Sequence, residues 1–328
     1  MTGLLLAGVL TALAADRPDP DAVPTVSQPV EGDLRIVVVG DVGVVHEASA
    51  DPCVPEKSCK LSIDGAARLW ASVKNENAHA AFITGDLVYG SHRIESAPRC
   101  RKPTGRVKER WLDPALGDKV RDLGIPAYLS LGNHDTGHQN RSRARERCLL
   151  RYAESEPVLN LPQLHYVVDF GLARLVVLDT NIPPERWPEA AFAQHAADWT
   201  LMGGHHVVRT AFDKESEHAI RDWLVATDNR PDLWINGHAH FLQFGVYDGI
   251  PAATSGAGAK VRMRPGCPGA ACEGDDMPIY SNSTFGYAVV DLTPDTLRMT
   301  FKDAEGAPLF CWERSREDPM GGECGGQP

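Results

Sequence analysis

The chain has 328 residues, enough for one large domain or two small ones, and its 43% hydrophobic and 23% charged residues are typical of a globular protein. Its formal net charge of -11 argues against a general binder of nucleic acid or anionic membranes, because both ligands carry negative charge. We therefore expect neither partner, and the composition leaves the oligomeric state open.

The N-terminus carries an apolar run over residues 4–14, which has the length of a signal-peptide hydrophobic region and is too short to span a bilayer. Ala12-Leu13-Ala14 offers a cleavage site of the small-x-small type. We predict a signal peptide over residues 1–14, a proline-rich linker over 15–32, and export to the periplasm or the extracellular space. A disordered apolar N-terminus is the alternative, because the usual positive charges at the start are missing.

Strand and helix patterns alternate through the first half of the chain. Leu34–Val39 is a continuous apolar run of the kind buried on both faces of a sheet. Similar runs predict further strands, at Ala80–Thr84, Ala127–Leu131, Leu175–Leu178 and Leu233–Ile235.

Three helices are expected between these strands. The first has an apolar face made of Ile63, Ala66, Ala67, Trp70 and Val73. In the second, Asp113 caps the N-terminus, Pro114 takes the first helical position and Gly124 stops the helix. The third includes Ile220, Trp223 and Leu224.

This order predicts α/β architecture. After Phe241 the pattern changes to short strands with Gly/Pro turns, such as Tyr287–Asp291 and Thr296–Phe301. We expect one domain over residues 33–314, with an insertion at 256–282 and a loosely ordered tail over 315–328.

Eight cysteines, none in a Cys-x-x-Cys spacing, predict up to four disulfides in an exported chain. The spacing does not fix their connectivity. Three pairs can join cysteines that are close in the sequence, and these are Cys53/Cys59, Cys267/Cys272 and Cys311/Cys324. They would leave Cys100/Cys148 as the fourth pair.

Five short polar motifs follow predicted strands in a fixed order. Any one of them alone is an ordinary turn, but ligands of α/β sheets bind beyond the carboxyl ends of the strands, where these motifs lie. They are Gly40-Asp41-Val42-Gly43, Gly85-Asp86-Leu87-Val88-Tyr89, Gly132-Asn133-His134-Asp135, Gly204-His205-His206 and Gly237-His238-Ala239-His240.

The complete set of motifs resembles the signature of the calcineurin-like metallophosphoesterases, and within them that of purple acid phosphatases of the small, tartrate-resistant type. Leu178-Asp179-Thr180 and Ser255-Gly256-Ala257-Gly258 add to the resemblance. The resemblance implies a four-layer αββα sandwich with two mixed sheets.

It also implies two metal sites that share the carboxylate of Asp86. A site that includes a phenolate suits Fe(III), and a site with two imidazoles suits a divalent ion such as Fe, Zn or Mn. The first site is implied to consist of Asp41, Asp86, Tyr89 and His240, and the second of Asp86, Asn133, His205 and His238.

For catalysis, the resemblance implies attack by a metal-held hydroxide, with His134 contacting the phosphate and Asp135 orienting His134. The family usually has another histidine shortly after the fourth motif. Lys214 lies at that position here and His218 follows four residues later, so the identity of the general acid is open. Lys214 is either a phosphate-binding cation or a solvated loop residue.

The sequence thus predicts an enzyme, a binuclear acid phosphatase that hydrolyses small phosphomonoesters. One alternative is a phosphodiesterase or nucleotidase of the same fold that uses two divalent metals. A non-catalytic phosphate- or metal-binding protein is the other, although every ligand position is filled.

Overall fold

The computed structural model describes residues 23–43, 58–89, 108–137, 142–192, 197–210, 218–262 and 278–325. The predicted signal peptide and Lys214 lie outside these residues. Within them, no helix is both long enough and apolar enough to cross a membrane.

The strands of the described residues form two large sheets and one short ribbon. In chain order they are β1 (Thr25–Ser27), β2 (Leu34–Val39), β3 (Ser58–Lys60), β4 (Ala80–Thr84), β5 (Ala127–Ser130), β6 (Leu159–Asn160), β7 (Tyr166–Asp169), β8 (Ala173–Val177), β9 (Trp199–Gly203), β10 (Leu233–Asn236), β11 (Leu242–Tyr247), β12 (Ile250–Ser255), β13 (Lys260–Arg262), β14 (Tyr280–Asn282), β15 (Gly286–Leu292), β16 (Thr296–Asp303), β17 (Pro308–Ser315) and β18 (Gly322–Glu323).

Sheet I has the order β1-β7-β8-β9-β10-β12-β11-β14, and sheet II has the order β18-β17-β16-β15-β2-β4-β5-β6. In sheet II, β2, β4 and β5 are parallel, and β15 lies antiparallel to β2. In sheet I, β8, β9 and β10 are parallel, and β11 is antiparallel to β12. The two mixed sheets implied by the resemblance are therefore confirmed.

Helices lie outside this pair of sheets. Strand β8 shows the division, since Leu175 and Val177 pack in the core shared with sheet II, whereas Val176 packs on the outer face with Ile220 and Leu224. The helices are α1 (Ile63–Asn75), α2 (Asp118–Leu123), α3 (Asn133–Thr136), α4 (Arg143–Glu154) and α5 (His218–Ala226), with a π-helical segment at Lys108–Gly117 and 3₁₀ turns at Pro184–Arg186 and Glu189–Phe192.

The predicted apolar face of α1 is partly wrong. Ala66, Trp70 and Val73 are buried as expected, but Ile63 is 55% exposed while Leu69 is fully buried. Ser62 caps the helix by accepting a hydrogen bond from Gly65 N–H, so Ile63 occupies the first turn on the solvent side. Two overlapping apolar stripes are present in the sequence, and the one that includes Leu69 faces the core.

The predicted start of the second helix is also wrong. The helical segment already begins at Lys108, and Pro114 lies inside its π-helical part. Asp113 accepts hydrogen bonds from the hydroxyl of Tyr152 at 2.7 Å and from Arg121 at 3.3 Å, so its side chain serves packing between helices rather than capping. The glycine stop is confirmed, because Gly124 has a left-handed φ of 70°.

Both ends of the described chain pair with the sheets. Strand β1 lies parallel to β7, and β18 pairs with β17. Cys311 and Cys324 form a disulfide, which is one of the expected pairs. Cys59 and Cys148 are also disulfide-bonded. The other cysteines of the expected pairs, Cys53, Cys100, Cys267 and Cys272, lie outside the described residues.

We predict that Leu69→Ala lowers the free energy of unfolding by roughly 2–5 kcal/mol, because it leaves a cavity beneath α1. Ile63→Ala removes a similar volume from an exposed position and is expected to change stability by less than about 1 kcal/mol. Urea unfolding of both variants checks the orientation of α1. Equal losses, or a larger loss for Ile63→Ala, would contradict it.

Candidate metal centre

Residues from the two sheets meet at the carboxyl ends of five parallel strands. In sheet II, β2 is followed by Asp41, β4 by Asp86 and β5 by Asn133. In sheet I, His205 follows β9 and His238 follows β10. The structure therefore brings these motif residues together, three from sheet II and two from sheet I.

Three of these residues adopt left-handed backbone conformations that are uncommon without glycine. The φ angles are 58° at Asp41, 50° at Asp86 and 70° at His238. Such conformations carry a steric cost and cluster at functional sites. Here each one follows the end of a strand and turns a polar side chain toward the others.

Glycines in the motifs let these side chains approach neighbouring backbone. A Cβ atom on Gly132 would lie 2.2 Å from Asp86 Oδ1, and one on Gly237 would lie 2.7 Å from Asp41 Oδ2. Both contacts are too short for any larger residue. The glycines are therefore required by close packing against the carboxylates.

The first ligand cluster contains Asp41, Tyr89 and His240. The Tyr89 hydroxyl lies 2.8 Å from Asp41 Oδ1 and 2.9 Å from His240 Nε2, and these last two atoms are 3.1 Å apart. Asp86 completes a group in which it, Asp41 and His240 offer ligand atoms within 4.8 Å of one another.

The second ligand cluster contains Asn133, His205 and His238. Asn133 Oδ1 lies 2.9 Å from His205 Nε2 and 3.1 Å from His238 Nδ1, and the two ring nitrogens are 3.1 Å apart. Asp86 Oδ1 lies 3.4 Å from His205 Nε2. Asp86 thus adjoins both clusters.

These distances fit metal coordination. Two neighbouring ligands of an octahedron, each about 2.1 Å from the ion, lie about 3.0 Å apart. Two imidazole nitrogens at 3.1 Å, both facing the oxygen of Asn133, also place three lone-pair-bearing atoms around one point. The residues present therefore fit a cation in each cluster.

The electrostatics of the buried groups favour the metal-binding forms of Asp41 and His238 but not of His205. Burial lowers the pKa of His205, yet the carboxylates of Asp86 and Asp41 raise it overall. Burial opposes ionisation of Asp41, yet the imidazoles of His240, His205 and His238 lower its pKa. Burial, together with the neighbouring His205, lowers the pKa of His238 to about 4, so this ring is neutral near pH 7. Carboxylates and neutral imidazoles are the forms that bind metal.

His205 is held by the backbone of Thr84 and the side chain of Thr180. Its Nδ1 lies 2.8 Å from the carbonyl oxygen of Thr84, which leaves Nε2 directed at the second cluster. The Thr180 hydroxyl accepts the backbone N–H groups of His205 and His206, each at 3.0 Å. Such contacts fix the ring orientation of a metal-binding histidine.

His134 lies at the open side of the site. Its ring, 33% exposed, packs against Tyr89 with ring centroids 4.5 Å apart, and its backbone N–H donates to Asp86 Oδ1 at 2.9 Å. This placement leaves the imidazole accessible to a ligand.

Asp135 links two loops. Its buried carboxylate accepts hydrogen bonds from the backbone N–H groups of Gly132 at 2.8 Å and of Leu87 and Val88 at 3.0 Å each. Burial and the Asp86 carboxylate raise the pKa of Asp135 to about 7, and the three donors oppose that rise. These contacts anchor the loops that carry Asp86 and Asn133, a role different from orienting His134.

The two candidates after the fourth motif are not placed in the site by the structure. Lys214 lies outside the described residues. His218 is the first residue of α5, and its side chain is not among those described. Sequence reasoning missed Lys260, whose Nζ lies 5.5 Å from the centroid of the Tyr89 ring. Its three-residue strand is too short for a periodicity signal.

Comparison with known proteins agrees with the family expected from the motifs. Residues 34–242 match the model of the calcineurin-like phosphoesterase family. The chain is 26% identical over 300 residues to purple acid phosphatase 4 of Arabidopsis thaliana, which covers 71% of this chain and 83% of that relative. It is 24% identical over 319 residues to tartrate-resistant acid phosphatase type 5 of Sus scrofa, covering 84% and 85% of the two chains.

The fold resembles that of a solved purple acid phosphatase from yellow lupin (Lupinus luteus) seeds. The TM-score is 0.62 at 15% sequence identity, over 92% of this chain. The chain spans 56% of the length of the lupin chain. At 15% identity this likeness is evidence for the fold alone.

We predict that Asp135→Asn weakens metal retention about 10- to 100-fold, because the amide places a donor against backbone N–H groups and loosens two ligand-bearing loops. Metal content after dialysis against graded chelator measures the effect. Asp291→Asn, which breaks a 2.6 Å ion pair with Arg35 away from the site, is the matched control. Wild-type retention in Asp135→Asn would refute the anchoring role.

Proposed function

Because the chain belongs to the calcineurin-like phosphoesterase family and is a phosphoric ester hydrolase, we propose that it hydrolyses phosphomonoesters at a binuclear metal centre. The observation that carries this proposal is the pair of ligand clusters that adjoin Asp86. Asp41, Tyr89 and His240 would hold one ion, and Asn133, His205 and His238 the other.

The presence of Tyr89 supports Fe(III) in the first cluster. Burial and the carboxylates of Asp41 and Asp86 raise the pKa of Tyr89 well above its ordinary value. A phenolate at this position therefore needs a strongly charged cation to offset two neighbouring carboxylates. The imidazole-rich second cluster suits a divalent ion such as Fe, Zn or Mn.

When bound, a metal pair of this kind would activate water and polarise the phosphoryl oxygens. The side chains of this protein supply the rest. Asp86 would contribute a ligand to each ion, and Asp135 links the loops of Asp86 and Asn133 through their backbone N–H groups. The imidazole of His134, which is partly exposed at the open side of the site, would donate a hydrogen bond to a phosphoryl oxygen as negative charge develops.

A cavity next to the second cluster offers space for the alcohol part of the ester. It has a volume of about 490 Å³, and Asn133 and His238 form part of its wall. Ile182, Pro184 and Ile220 make the lining partly apolar. A phosphoryl group at the metal ligands would leave its ester substituent facing this cavity.

Export of the protein is part of the proposal. It is supported by the apolar N-terminal run, the small-x-small motif and the disulfide between Cys311 and Cys324. The proposed mature chain begins near residue 15, and its catalytic domain extends beyond the expected residues 33–314, because β1 and β18 also pair with the two large sheets.

We expect the metal-loaded protein to hydrolyse an aryl phosphate monoester faster than the matching diester. Asn133→Ala or His238→Ala is expected to lower turnover of the monoester about a thousandfold, because each removes a ligand of the second cluster. Steady-state kinetics with both esters measures this. Faster diester hydrolysis would favour the phosphodiesterase alternative, and unchanged turnover in both variants would reject the site.

We predict that the iron-loaded protein is pink to purple and that Tyr89→Phe loses this colour, because the phenolate ligand is removed. A visible absorption spectrum is the measurement. Tyr287→Phe is the control, since its hydroxyl hydrogen-bonds Glu76 at 2.7 Å elsewhere in the fold. A colourless, iron-free and fully active wild-type preparation would disprove the Fe(III) assignment.

A further inference from the structure

Lys260 places a half-buried ammonium group beside the ligand clusters. Its Nζ lies 5.5 Å from the centroid of the Tyr89 ring, and the carboxylates of Asp41 and Asp86 act on it electrostatically. A cation at this distance interacts with the face of the ring. Lys260 is therefore held close to the ligands without being one of them.

The backbone around Lys260 is attached directly to the motif loops. Gly258 N–H donates to the carbonyl oxygen of Gly40 at 3.0 Å, and Arg262 N–H donates to that of His240 at 2.9 Å. In the ribbon of β3 and β13, Lys260 pairs with Lys60. Hydrogen bonds to the first and fifth motifs thus fix the position and direction of the backbone that carries Lys260.

Two other lysines in the described residues have carboxylate partners, and Lys119 donates to backbone carbonyl oxygens. Lys74 pairs with Asp122 at 3.1 Å, and Lys302 pairs with Glu76 at 2.8 Å. No such ion pair involves Lys260 in the part of the chain that the structure describes. Its charge is available to an anion that enters from solvent.

We propose that Lys260 is a substrate-binding residue that contacts the phosphoryl group from the side of Tyr89. This inference rests on the proposed phosphatase function. A phosphomonoester brings a dianion to a site rich in carboxylates, and a flexible ammonium can follow its oxygens as a point charge. A charge-assisted hydrogen bond to phosphate is among the stronger polar contacts in proteins.

The experiment measures binding of inorganic phosphate to the full-length, metal-loaded protein by titration calorimetry. Lys260→Met is expected to weaken phosphate binding about tenfold at unchanged metal content, and Lys260→Arg is expected to recover most of the loss. Lys74→Met removes the same charge at a remote position and is expected to bind phosphate like the wild type.

Two results would overturn the inference while leaving the proposed function in place. One is that Lys260→Met binds phosphate as tightly as the wild type does, while the wild-type protein hydrolyses the monoester. The other is loss of metal from Lys260→Met, which would make Lys260 a support of the centre. If the wild type binds phosphate through Lys260 but hydrolyses no phosphoester, the proposed function fails, and with it the role of Lys260 in binding a substrate, which leaves Lys260 as an anion-binding residue only.

Discussion

The candidate site is arranged around the carboxylate of Asp86, which adjoins both ligand clusters. Asp86 follows β4, which lies between β2 and β5 in sheet II, so the loops of Asp41 and Asn133 flank it on either side. The two histidine loops come from sheet I, which packs face to face with sheet II. One residue thus lies next to two groups of candidate ligands that come from different layers.

Bringing these groups together has a steric and an electrostatic cost. Asp41, Asp86 and His238 adopt left-handed conformations, and buried carboxylates face one another with little solvent. Backbone N–H groups offset part of the repulsion, since Asp41 Oδ2 accepts from His238 and Asp86 Oδ1 from His134. A cation in each cluster would offset the remaining repulsion. It would also account for the many oxygen and nitrogen atoms with lone pairs that lie about 3 Å apart.

Much of the site could be predicted from the sequence because its chemistry is local. Each motif places a glycine next to a polar residue at the end of an apolar strand, and both the strand and the turn are visible as short patterns. The family resemblance then supplied the grouping of the residues. In contrast, Leu69 in α1 and the role of Asp113 depend on which neighbours pack against them, and periodicity alone left two stripes possible.

Lys260 and Asp135 show a second kind of limit. Lys260 reaches the site from β13, which is three residues long and is positioned by hydrogen bonds to distant motifs. The carboxylate of Asp135 accepts hydrogen bonds from backbone N–H groups of both the second and the third motif, which lie far apart in the sequence. Long-range pairing of this kind leaves no periodic signal in the chain.

Anomalous X-ray scattering from crystals of the metal-loaded protein would test the central claim most directly. The account predicts two peaks roughly 3.5–4 Å apart. The carboxylate of Asp86 should lie between them, with Tyr89 on one ion and Asn133 on the other. A single peak, or two peaks that do not share Asp86, would contradict it.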